Sequence, residues 1–284
     1  MLGGMTSKGA RRGQGEMEKP RVKCEIRDGI AEVMLARGDK LNALDRSMFG
    51  AIDQTLAELQ QHKGLRAVIL YGEGRAFCAG LDVKSMLKQP VAALDILKRE
   101  ADEATNLAQR VAYGWHQLPV PVIAVTQGVC FGGGLQIALG ADFRFSTPDC
   151  RFSVMEIKWG IIPDMSGSVT LRNLMGVDTA MELAMSGREC DALEAKSLGL
   201  VSRVCEDPLT EAREFARTLI TKSPDALAGT KQLYQQAWAR SDEVMLKEET
   251  RLQKQILGRP NQWRATFNSL FRWRLPFGPR RNAL

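Results

Sequence analysis

The sequence predicts an α/β core followed by a helical C-terminal region. Two apolar runs, "LRAVILY" at 65–71 and "VPVIAV" at 120–125, each enter a glycine-rich turn that precedes a helical pattern. From Pro208 to the end the pattern is helical almost throughout. The predicted breaks in this region lie near 223–224, 241 and 259–260. The 284 residues suffice for one large domain or for a domain with an appendage.

The first twenty residues, 1–20, predict a disordered leader. They are rich in glycine, lysine and arginine and contain no apolar run that could serve as a secretory signal. Acids are absent before Glu16, which leaves a transit peptide as an alternative, but the amphipathic apolar face of such peptides is missing. We therefore expect a cytoplasmic protein.

The first folded elements are predicted to be a hairpin and a helix. Residues 22–36 alternate as two short strands around Asp28–Gly29, a pair favoured in tight turns. Asp45 is a capping residue ahead of apolar positions at helical spacing. A further helical region is predicted over about 91–117. Later short strands are expected at 142–146, 151–154 and 199–205, and helices at about 166–174, 177–186 and 191–197.

Composition limits the chemistry that the chain can perform. The six cysteines are scattered without a CxxC pair, which predicts reduced core thiols. With only His62 and His116, His-rich metal sites and Ser/His/Asp catalysis are hard to assemble, so we expect no metal. Cys78 has no evident histidine partner and is expected to be a packed thiol. No apolar run approaches the roughly 20 residues of a membrane span. Because histidines are so few, carboxylates and backbone groups are the functional candidates.

The net charge of +6 arises at the C-terminus. Residues 259–284 contain six arginines and no acid, and the rest of the chain is balanced. Arginines interleaved with aromatic residues such as Trp263 and Phe267 are compatible with nucleic-acid binding. A helix that docks its aromatic face, with its arginines in water or near a phosphorylated ligand, is the favoured interpretation.

Five ordered motifs give the sequence a family resemblance. They are "RGDKLNAL" (37–44), "GRAFCAGLDVKSM" (74–86), "QGVCFGGGLQIALGADFRFS" (127–146), "MEIKWGIIPDMSGSVTL" (155–171) and "MSGRECDALEAKSLGLVSRV" (185–204). Together they resemble the crotonase superfamily, the enoyl-CoA hydratase/isomerase family, over roughly residues 20–220. A Rossmann fold is not expected, because the glycines lack G-x-G-x-x-G spacing.

The resemblance implies a crotonase-like spiral of repeated ββα units over 21–207 and a helical C-terminal module over 208–284 that takes part in trimerisation and in the acyl site. It also implies an acyl-CoA substrate in fatty acid metabolism, with coenzyme A as part of the substrate and no separate cofactor. A homotrimer or a dimer of trimers is the expected assembly, and neither nucleic acid nor a membrane is an expected partner.

Backbone amides are the first functional candidates. In the family, two N–H groups stabilise the enolate-like thioester oxygen, and the resemblance places them here at Leu81 and at Gly133, the middle glycine of "FGGG". A helix N-terminus leaves its first amides unpaired and favours an anion. The alternative for the glycines is a tight turn packed closely against a neighbour.

The acids depart from the hydratase pattern. Where hydratases have two glutamates, this chain has Gln136 and Glu156, and a carboxamide cannot accept a proton as a carboxylate can. Family isomerases work with one carboxylate at the Glu156 position, and Asp164 falls where dienoyl-CoA isomerases have an acid. Gln136 is expected to orient a water or a substrate group. Apolar neighbours predict a raised pKa for these acids, and the alternative is a solvated or ion-paired carboxylate, for instance Glu156 with Lys158.

For the CoA and thioester walls, the resemblance points to the first two glycine-bearing motifs. The positions carried over are Lys40, Leu41, Ala43, Ala79 and Asp82. The expected activity is double-bond isomerisation through the thioester enolate, with proton transfer by Glu156 and in part by Asp164. Hydration with an atypical single glutamate, or a non-catalytic acyl-CoA- or RNA-binding protein, are the alternatives. Arg272 and Arg274 are candidates to reach a CoA phosphate.

Overall fold

The computed structural model describes residues 19–88, 94–237 and 239–281. Its strands are β1 (Val22–Arg27), β2 (Ile30–Leu35), β3 (Ala67–Gly72), β4 (Val122–Thr126), β5 (Val129–Phe131), β6 (Phe143–Ser146), β7 (Arg151–Ser153), β8 (Cys190–Asp191) and β9 (Arg203–Val204). Its helices are α1 (Arg46–Gln61), α2 (Val83–Lys88), α3 (Leu107–Gln117), α4 (Gly133–Leu139), α5 (Gly167–Leu171), α6 (Val177–Ser186), α7 (Ala192–Ser197), α8 (Pro208–Ile220), α9 (Pro224–Ala237), α10 (Asp242–Ile256) and α11 (Pro260–Phe271).

The predicted hairpin is confirmed. β1 and β2 are antiparallel, and their register pairs Arg27 with Ile30 across a two-residue turn. Asp28 and Gly29 adopt φ angles of 53° and 79° in this turn. Left-handed conformations at both central positions match the twist of the flanking strands, which is why an Asp-Gly pair is suited to the site.

A parallel sheet organises the core. In the described ranges one sheet has the order β1-β2-β3-β4-β6-β9, and every pairing from β2 onward is parallel. A smaller sheet has the order β5-β7-β8. Because parallel strands end at the same edge, the turns that follow β3 and β4 meet there. This edge holds the two glycine-rich motifs.

Helices cover both faces of the large sheet. On one face α1 buries Met48, Ile52, Leu56 and Leu59, as its apolar spacing predicts. It packs against α3, where Gly114 allows close approach because a Cβ there would lie 2.6 Å from Leu56 Cδ1. On the other face α8 buries Ala212 and Ala216 against β3, β4 and β6.

The helical region predicted over about 91–117 is wrong in part. Residues 91–93 lie outside the described residues, and 96–106 form turns and irregular structure. α3 begins only at Leu107, because Asn106 forms a capping box with Gln109. The Asn106 side chain accepts the Gln109 N–H at 2.8 Å, and the Gln109 side chain accepts the Asn106 N–H at 3.1 Å.

The C-terminal region follows the predicted helical breaks. α8 ends at Ile220, α9 spans Pro224–Ala237, α10 begins at Asp242 and α11 begins at Pro260. The chain after α11 is fixed to α9 through Asp225, which is 1% exposed and accepts hydrogen bonds from Asn261 Nδ2 at 3.0 Å and from the Arg281 N–H at 2.9 Å. The basic tail is therefore anchored along its length.

A buried ion pair joins α9 to the core. Lys231 Nζ lies 2.8 Å from Asp142 Oδ2 and donates to the carbonyls of Val120 at 2.9 Å and Trp115 at 3.3 Å. Burial lowers the pKa of Lys231, and Asp142 opposes this effect. The contacts satisfy all three protons of the ammonium group.

No helix in the described ranges is long and apolar enough to cross a membrane. The predicted leader, residues 1–20, lies outside the described residues except for Lys19 and Pro20.

We predict that Lys231→Ala lowers the free energy of unfolding by about 3 kcal/mol, because it leaves the Asp142 carboxylate buried without its cation. Urea unfolding followed by circular dichroism measures the change. Lys247→Ala is the control, since its pair with Glu243 is exposed at both ends, and we expect a change within about 0.5 kcal/mol. Equal effects of the two substitutions would contradict a structural role for the Lys231 pair.

Candidate active site

Two glycine turns meet at the carboxyl edge of the sheet. The turn after β3 is joined to β5 by two hydrogen bonds, Cys78 N–H to the Val129 carbonyl at 3.1 Å and Phe131 N–H to the Cys78 carbonyl at 3.0 Å. Gly80, in the turn after β3, has φ of 86° and lies against the second turn, which joins β5 to α4. A Cβ on Gly80 would lie 2.9 Å from the Phe131 carbonyl oxygen and 3.7 Å from Gly133 N. Only glycine permits both this conformation and this approach.

The three glycines at the start of α4 serve different steric demands. Gly132 has φ of 50° and precedes the first helical residue. A Cβ on Gly133 would lie 2.7 Å from Met165 Sδ and 3.0 Å from Leu44 Cδ1, and one on Gly134 would lie 2.6 Å from Cys78 Cβ. The glycines are therefore packed closely against neighbouring residues, as the alternative interpretation of the three glycines expected. The same close packing brings the start of α4 next to the turn that contains Gly80.

Unpaired amides mark both turns. Within the described part of the chain, neither Leu81 N–H nor Gly133 N–H has an acceptor at hydrogen-bonding distance, whereas the neighbouring N–H groups of Gly80 and Asp82 are bonded. Gly133 begins α4, so its amide also lies at the positive end of the helix dipole. The arrangement can accept an anionic oxygen between the turns.

Glu156 is a buried carboxylate beside the same helix start. It begins the 3₁₀ turn Glu156–Trp159 and is 7% exposed. Its Oε1 accepts a hydrogen bond from Gln136 Nε2 at 2.5 Å, while Oε2 is buried without any partner in the described ranges. A Cβ on Gly132 would lie 3.4 Å from Oε1, which places the carboxylate next to the glycine turn. Burial raises the pKa of Glu156. Its own backbone N–H, the Gln136 side chain and the Met155 backbone N–H lower the pKa, and nearby Asp164 raises it.

Gln136 connects three segments of the site. Besides its bond to Glu156, its Oε1 accepts the N–H groups of Met165 and Gly167, each at 2.9 Å. These two donors fix the orientation of the carboxamide, because its oxygen must face them and its nitrogen must face Glu156. Gln136 is 2% exposed and lies on α4. Its hydrogen bonds in the described ranges are to Glu156, Met165 and Gly167, and the expected role of orienting a water or a substrate group stays a prediction.

Asp164 is the second acid of the site. It is partly buried, directly precedes Met165, and receives no hydrogen bond to its carboxylate from another described residue. Burial raises its pKa. Asp164 lies close enough to Glu156 for its charge to raise the pKa of Glu156. Both carboxyl groups therefore have a higher pKa than the same group would have on the surface. The ion pair of Glu156 with Lys158, given above as the alternative, is not found in the described ranges, where Lys158 lies over the Trp159 ring at 5.8 Å.

The positions expected to bind CoA and thioester lie along the first glycine turn. Ala79 N–H donates to the Leu41 carbonyl at 2.9 Å, and Leu44 N–H donates to the Gly80 carbonyl at 2.8 Å. Lys40 ends the 3₁₀ turn Gly38–Lys40 and is exposed, and the nearby Ala43 is partly buried. The structure brings these residues together beside Leu81.

Asp82 has a structural environment. Its Oδ1 accepts the Ser85 N–H at 3.0 Å at the start of α2, and its Oδ2 lies 2.9 Å from Arg37 Nη1. Burial raises its pKa, but the Ser85 and Arg37 hydrogen bonds outweigh burial and hold the pKa below its usual value.

Sequence reasoning missed Asn42. Asn42 is fully buried: its Nδ2 donates to the carbonyls of Ala76 at 2.9 Å and Glu73 at 3.1 Å, and its Oδ1 accepts the Arg37 N–H at 2.9 Å. An Asn inside "DKLNAL" is a signal for a turn, but the two carbonyls that its Nδ2 contacts, those of Glu73 and Ala76, lie 31 and 34 residues away and leave no local pattern.

Other features of the described residues lie away from this site. A cavity of about 530 Å³ lies at the far end of α4, where Leu139, Leu174 and Leu227 line it beneath α9. No group of three or more His, Cys, Asp or Glu residues suited to a metal ion occurs within the described ranges.

The parallel sheet and the helix that starts on bare glycines define a protein of the crotonase fold class. The family model for enoyl-CoA hydratase/isomerase matches residues 25–262, and the chain belongs to this family.

Individual relatives agree with this assignment. The chain is 34% identical over 236 residues to "Probable enoyl-CoA hydratase echA8" of Mycobacterium bovis, covering 81% of this chain and 86% of the relative. A crystal structure of an enoyl-CoA hydratase from Polaromonas sp. JS666 has a TM-score of 0.81 and 25% identity, covering 90% of this chain and 99% of that one. An enoyl-CoA hydratase structure from Bacillus anthracis, at 24% identity, a TM-score of 0.82 and coverage of 90% and 98%, shows the shared fold.

We predict that the burial of Glu156 costs stability as the pH rises. Its pKa in the folded chain lies above the ordinary value of 4.5, so the folded state keeps a proton that the unfolded state loses. The free energy of unfolding of the wild type relative to Glu156→Gln therefore falls as the pH rises from about 4.5 through the raised pKa, and the difference is constant above it. Urea unfolding at several pH values between about 4 and 8 measures this difference.

Glu182→Gln provides a control of opposite sign. A hydrogen bond from Arg188 lowers the pKa of Glu182, so its contribution to stability is present above the ordinary pKa and is lost on acidification. A pH-independent difference between wild type and Glu156→Gln would show that Glu156 has no raised pKa.

Proposed function

We propose that this protein acts on an acyl-CoA thioester, stabilises the thioester enolate on the N–H groups of Leu81 and Gly133, and moves a proton with Glu156. We further propose that it shifts a carbon–carbon double bond. The observation that carries this proposal is the Glu156 carboxylate, whose Oε1 is held by Gln136 while its buried Oε2 has no partner in the described ranges. An unpartnered, buried oxygen with a raised pKa is suited to taking and returning a proton.

The amides supply the electrostatic part of the reaction. Removing a proton next to the thioester carbonyl moves negative charge onto the carbonyl oxygen, and two prearranged donors stabilise that charge without reorganisation. Loss of one such donor typically costs about 2.7–4 kcal/mol of transition-state stabilisation. Leu81 and Gly133 fit this role because their N–H groups are unpaired and lie on adjoining turns.

Proton movement requires one acid to act twice. In isomerisation of a 3-enoyl thioester, Glu156 takes a proton from C2, the enolate delocalises over the double bond, and the same proton is returned to C4. The proton balance closes without water or a cofactor, and coenzyme A remains part of the substrate. Asp164 is proposed to support the proton transfer: its charge raises the pKa of Glu156, and burial raises its own pKa.

Hydration is the second candidate, and the names of the relatives favour it. Adding water across a 2-enoyl thioester requires one group to activate water and another to supply a proton to C2. Gln136 cannot do either as an acid or base, and its oxygen already accepts two backbone N–H groups. Hydration here would need Asp164 as the second acid, which makes it the less supported activity.

We also propose CoA contacts by Lys40, Leu41, Ala43, Ala79 and Asp82, and a trimer or a dimer of trimers. Lys40 is an exposed cation near the Leu81 turn, as a phosphorylated ligand requires. Assembly is supported by exposed apolar side chains between 157 and 193, among them Trp159, Ile162 and Met185. A cytoplasmic location stays a prediction, and so does a reach of Arg272 or Arg274 to a CoA phosphate. A non-catalytic acyl-CoA or RNA binder is disfavoured, because it would have no need for an unpartnered buried acid.

Turnover of a panel of thioesters tests the reaction. We expect the wild type to isomerise 3-enoyl- or dienoyl-CoA faster than it hydrates 2-enoyl-CoA. Glu156→Gln should reduce either activity by at least about 10²-fold, because the general base is removed. Gln136→Glu should raise hydration relative to isomerisation, since it adds a second acid while a carboxylate oxygen still accepts the N–H groups of Met165 and Gly167.

Glu182→Gln, on the exposed surface, is the control and should leave turnover unchanged. Faster hydration than isomerisation by the wild type would support the second candidate. Full turnover by Glu156→Gln would refute the acid/base assignment, and turnover of none of the thioesters would favour a binding protein.

A pair of substitutions at Gly133 tests the backbone donor. Gly133→Ala and Gly133→Pro both add a Cβ facing Met165 Sδ and Leu44, but only proline removes the N–H. Proline is tolerated at the first position of a helix. Because the added Cβ lies close to Met165 and Leu44 in both variants, thermal unfolding first establishes that both are folded. We expect kcat of the proline variant to be about 10²–10³-fold below that of the alanine variant. Equal kcat values would show that the Gly133 amide takes no part.

A further inference from the structure

We infer that Cys78 is a positioning residue that holds the two amide-bearing turns at their working separation and determines which amide of the first turn stays free. This inference rests on the proposed function, because it concerns the same pair of amides. It assigns to Cys78 neither a nucleophilic nor a redox role.

The Cys78 side chain contacts both turns. Its Sγ accepts the N–H of Gly80 at 3.4 Å, within the first turn. Its other side faces the start of α4, where a Cβ on Gly134 would lie 2.6 Å from Cys78 Cβ and 2.8 Å from its Sγ. The residue is 0% exposed. The sulfur thus lies between Gly80, which precedes the Leu81 amide, and Gly134, which follows the Gly133 amide.

A third contact fixes the sulfur itself. Cys78 Sγ donates to the carbonyl of Asn42 at 3.1 Å. Asn42 is immobilised in turn, since its buried side chain makes three hydrogen bonds to backbone groups of Arg37, Glu73 and Ala76. The thiol is therefore both a donor to a rigid carbonyl and an acceptor from Gly80.

This geometry explains why Leu81 has the free amide. The N–H of Gly80 is occupied by the Cys78 sulfur, and the N–H of Asp82 is occupied by the Leu44 carbonyl at 3.0 Å. The amide between them is the one left available. Without the sulfur, Gly80 N–H would lose its acceptor, and the turn could rotate to present a different amide.

The chemical state of the thiol supports a structural use. Burial raises the pKa of Cys78 to about 12, so the S–H proton is present at neutral pH and the bond to Asn42 persists. A neutral, fully enclosed thiol is a poor nucleophile.

Three substitutions separate bonding from volume. Cys78→Ser retains a donor and an acceptor, Cys78→Ala leaves a gap, and Cys78→Val fills the space without any hydrogen bond. We expect kcat on the best thioester to fall about 10-fold or more in the alanine and valine variants, because misplacing a catalytic group by even a fraction of an ångström is costly. KM should change less than about 3-fold, and serine should recover most of kcat.

A spectroscopic signature tests the amides directly. A β-ketoacyl-CoA forms an enolate that absorbs in the near ultraviolet, and a site that stabilises the enolate raises its fraction in the bound ligand. We expect this enolate band to be weaker in the alanine and valine variants at saturating ligand and restored in the serine variant. Cys150→Ala is the matched control, since Cys150 is an equally buried thiol whose hydrogen bond goes to the Arg151 carbonyl and not to either turn, and should leave band and kcat unchanged.

The outcomes distinguish the two proposals. No enolate band and no turnover in the wild type would refute the proposed function itself. A wild-type band that Cys78→Ala and Cys78→Val retain in full would refute the role of Cys78 alone, as would an equal loss in Cys150→Ala. If the valine variant does not fold, as judged by thermal unfolding, the comparison of alanine with serine decides in the same way.

Discussion

The carboxamide of Gln136 is the interaction on which the arrangement of the site depends. It reaches from α4 to the Glu156 carboxylate on one side and to the N–H groups of Met165 and Gly167 on the other. The helix that carries the unpaired Gly133 amide, the turn that carries the acid and the segment that carries Asp164 are thereby fixed relative to one another. Three buried polar groups would lose their partner if the carboxamide were removed, and each would then contribute a desolvation cost of about 1–3 kcal/mol.

Backbone packing supplies the rest of the precision. The bare amides at Leu81 and Gly133 are fixed without any side chain of their own, because glycines at 80 and 134 allow two turns to approach closer than a Cβ would permit. The parallel register of β3 and β4 brings both turns to one edge of the sheet. A site of this kind tolerates little change in backbone position, which is why Cys78 and Asn42, neither of which carries an unpaired atom, matter to its geometry.

The elements that the sequence predicted well are those with local causes. The Asp28–Gly29 turn, the apolar stripe of α1 and the breaks at 223–224, 241 and 259–260 are determined by residues within a few positions of each. The start of α3 was misjudged, because helical composition over 91–117 concealed the Asn106 cap. The partners of Gln136 lie 20, 29 and 31 residues away, and the thiol of Cys78 bonds to a carbonyl 36 residues away. Contacts at such separations leave no periodic signal, so only the motif resemblance pointed to the neighbourhood in which they occur.

A single difference in hydrogen-bonding chemistry links this geometry to the choice of reaction. Were residue 136 a carboxylate, its oxygen would face Glu156 Oε1 at the present 2.5 Å, and two anionic oxygens cannot share that distance without a proton between them. The carboxamide removes this constraint by donating, so Glu156 can ionise while its neighbour remains neutral, and burial opposes that ionisation. In the reaction proposed above, the proton is carried by one oxygen, Oε2, which has no hydrogen-bond partner in the described ranges. Such a site would be sufficient for removing a proton from one carbon and returning it to another, whereas adding water calls on one group to activate water and another to protonate carbon.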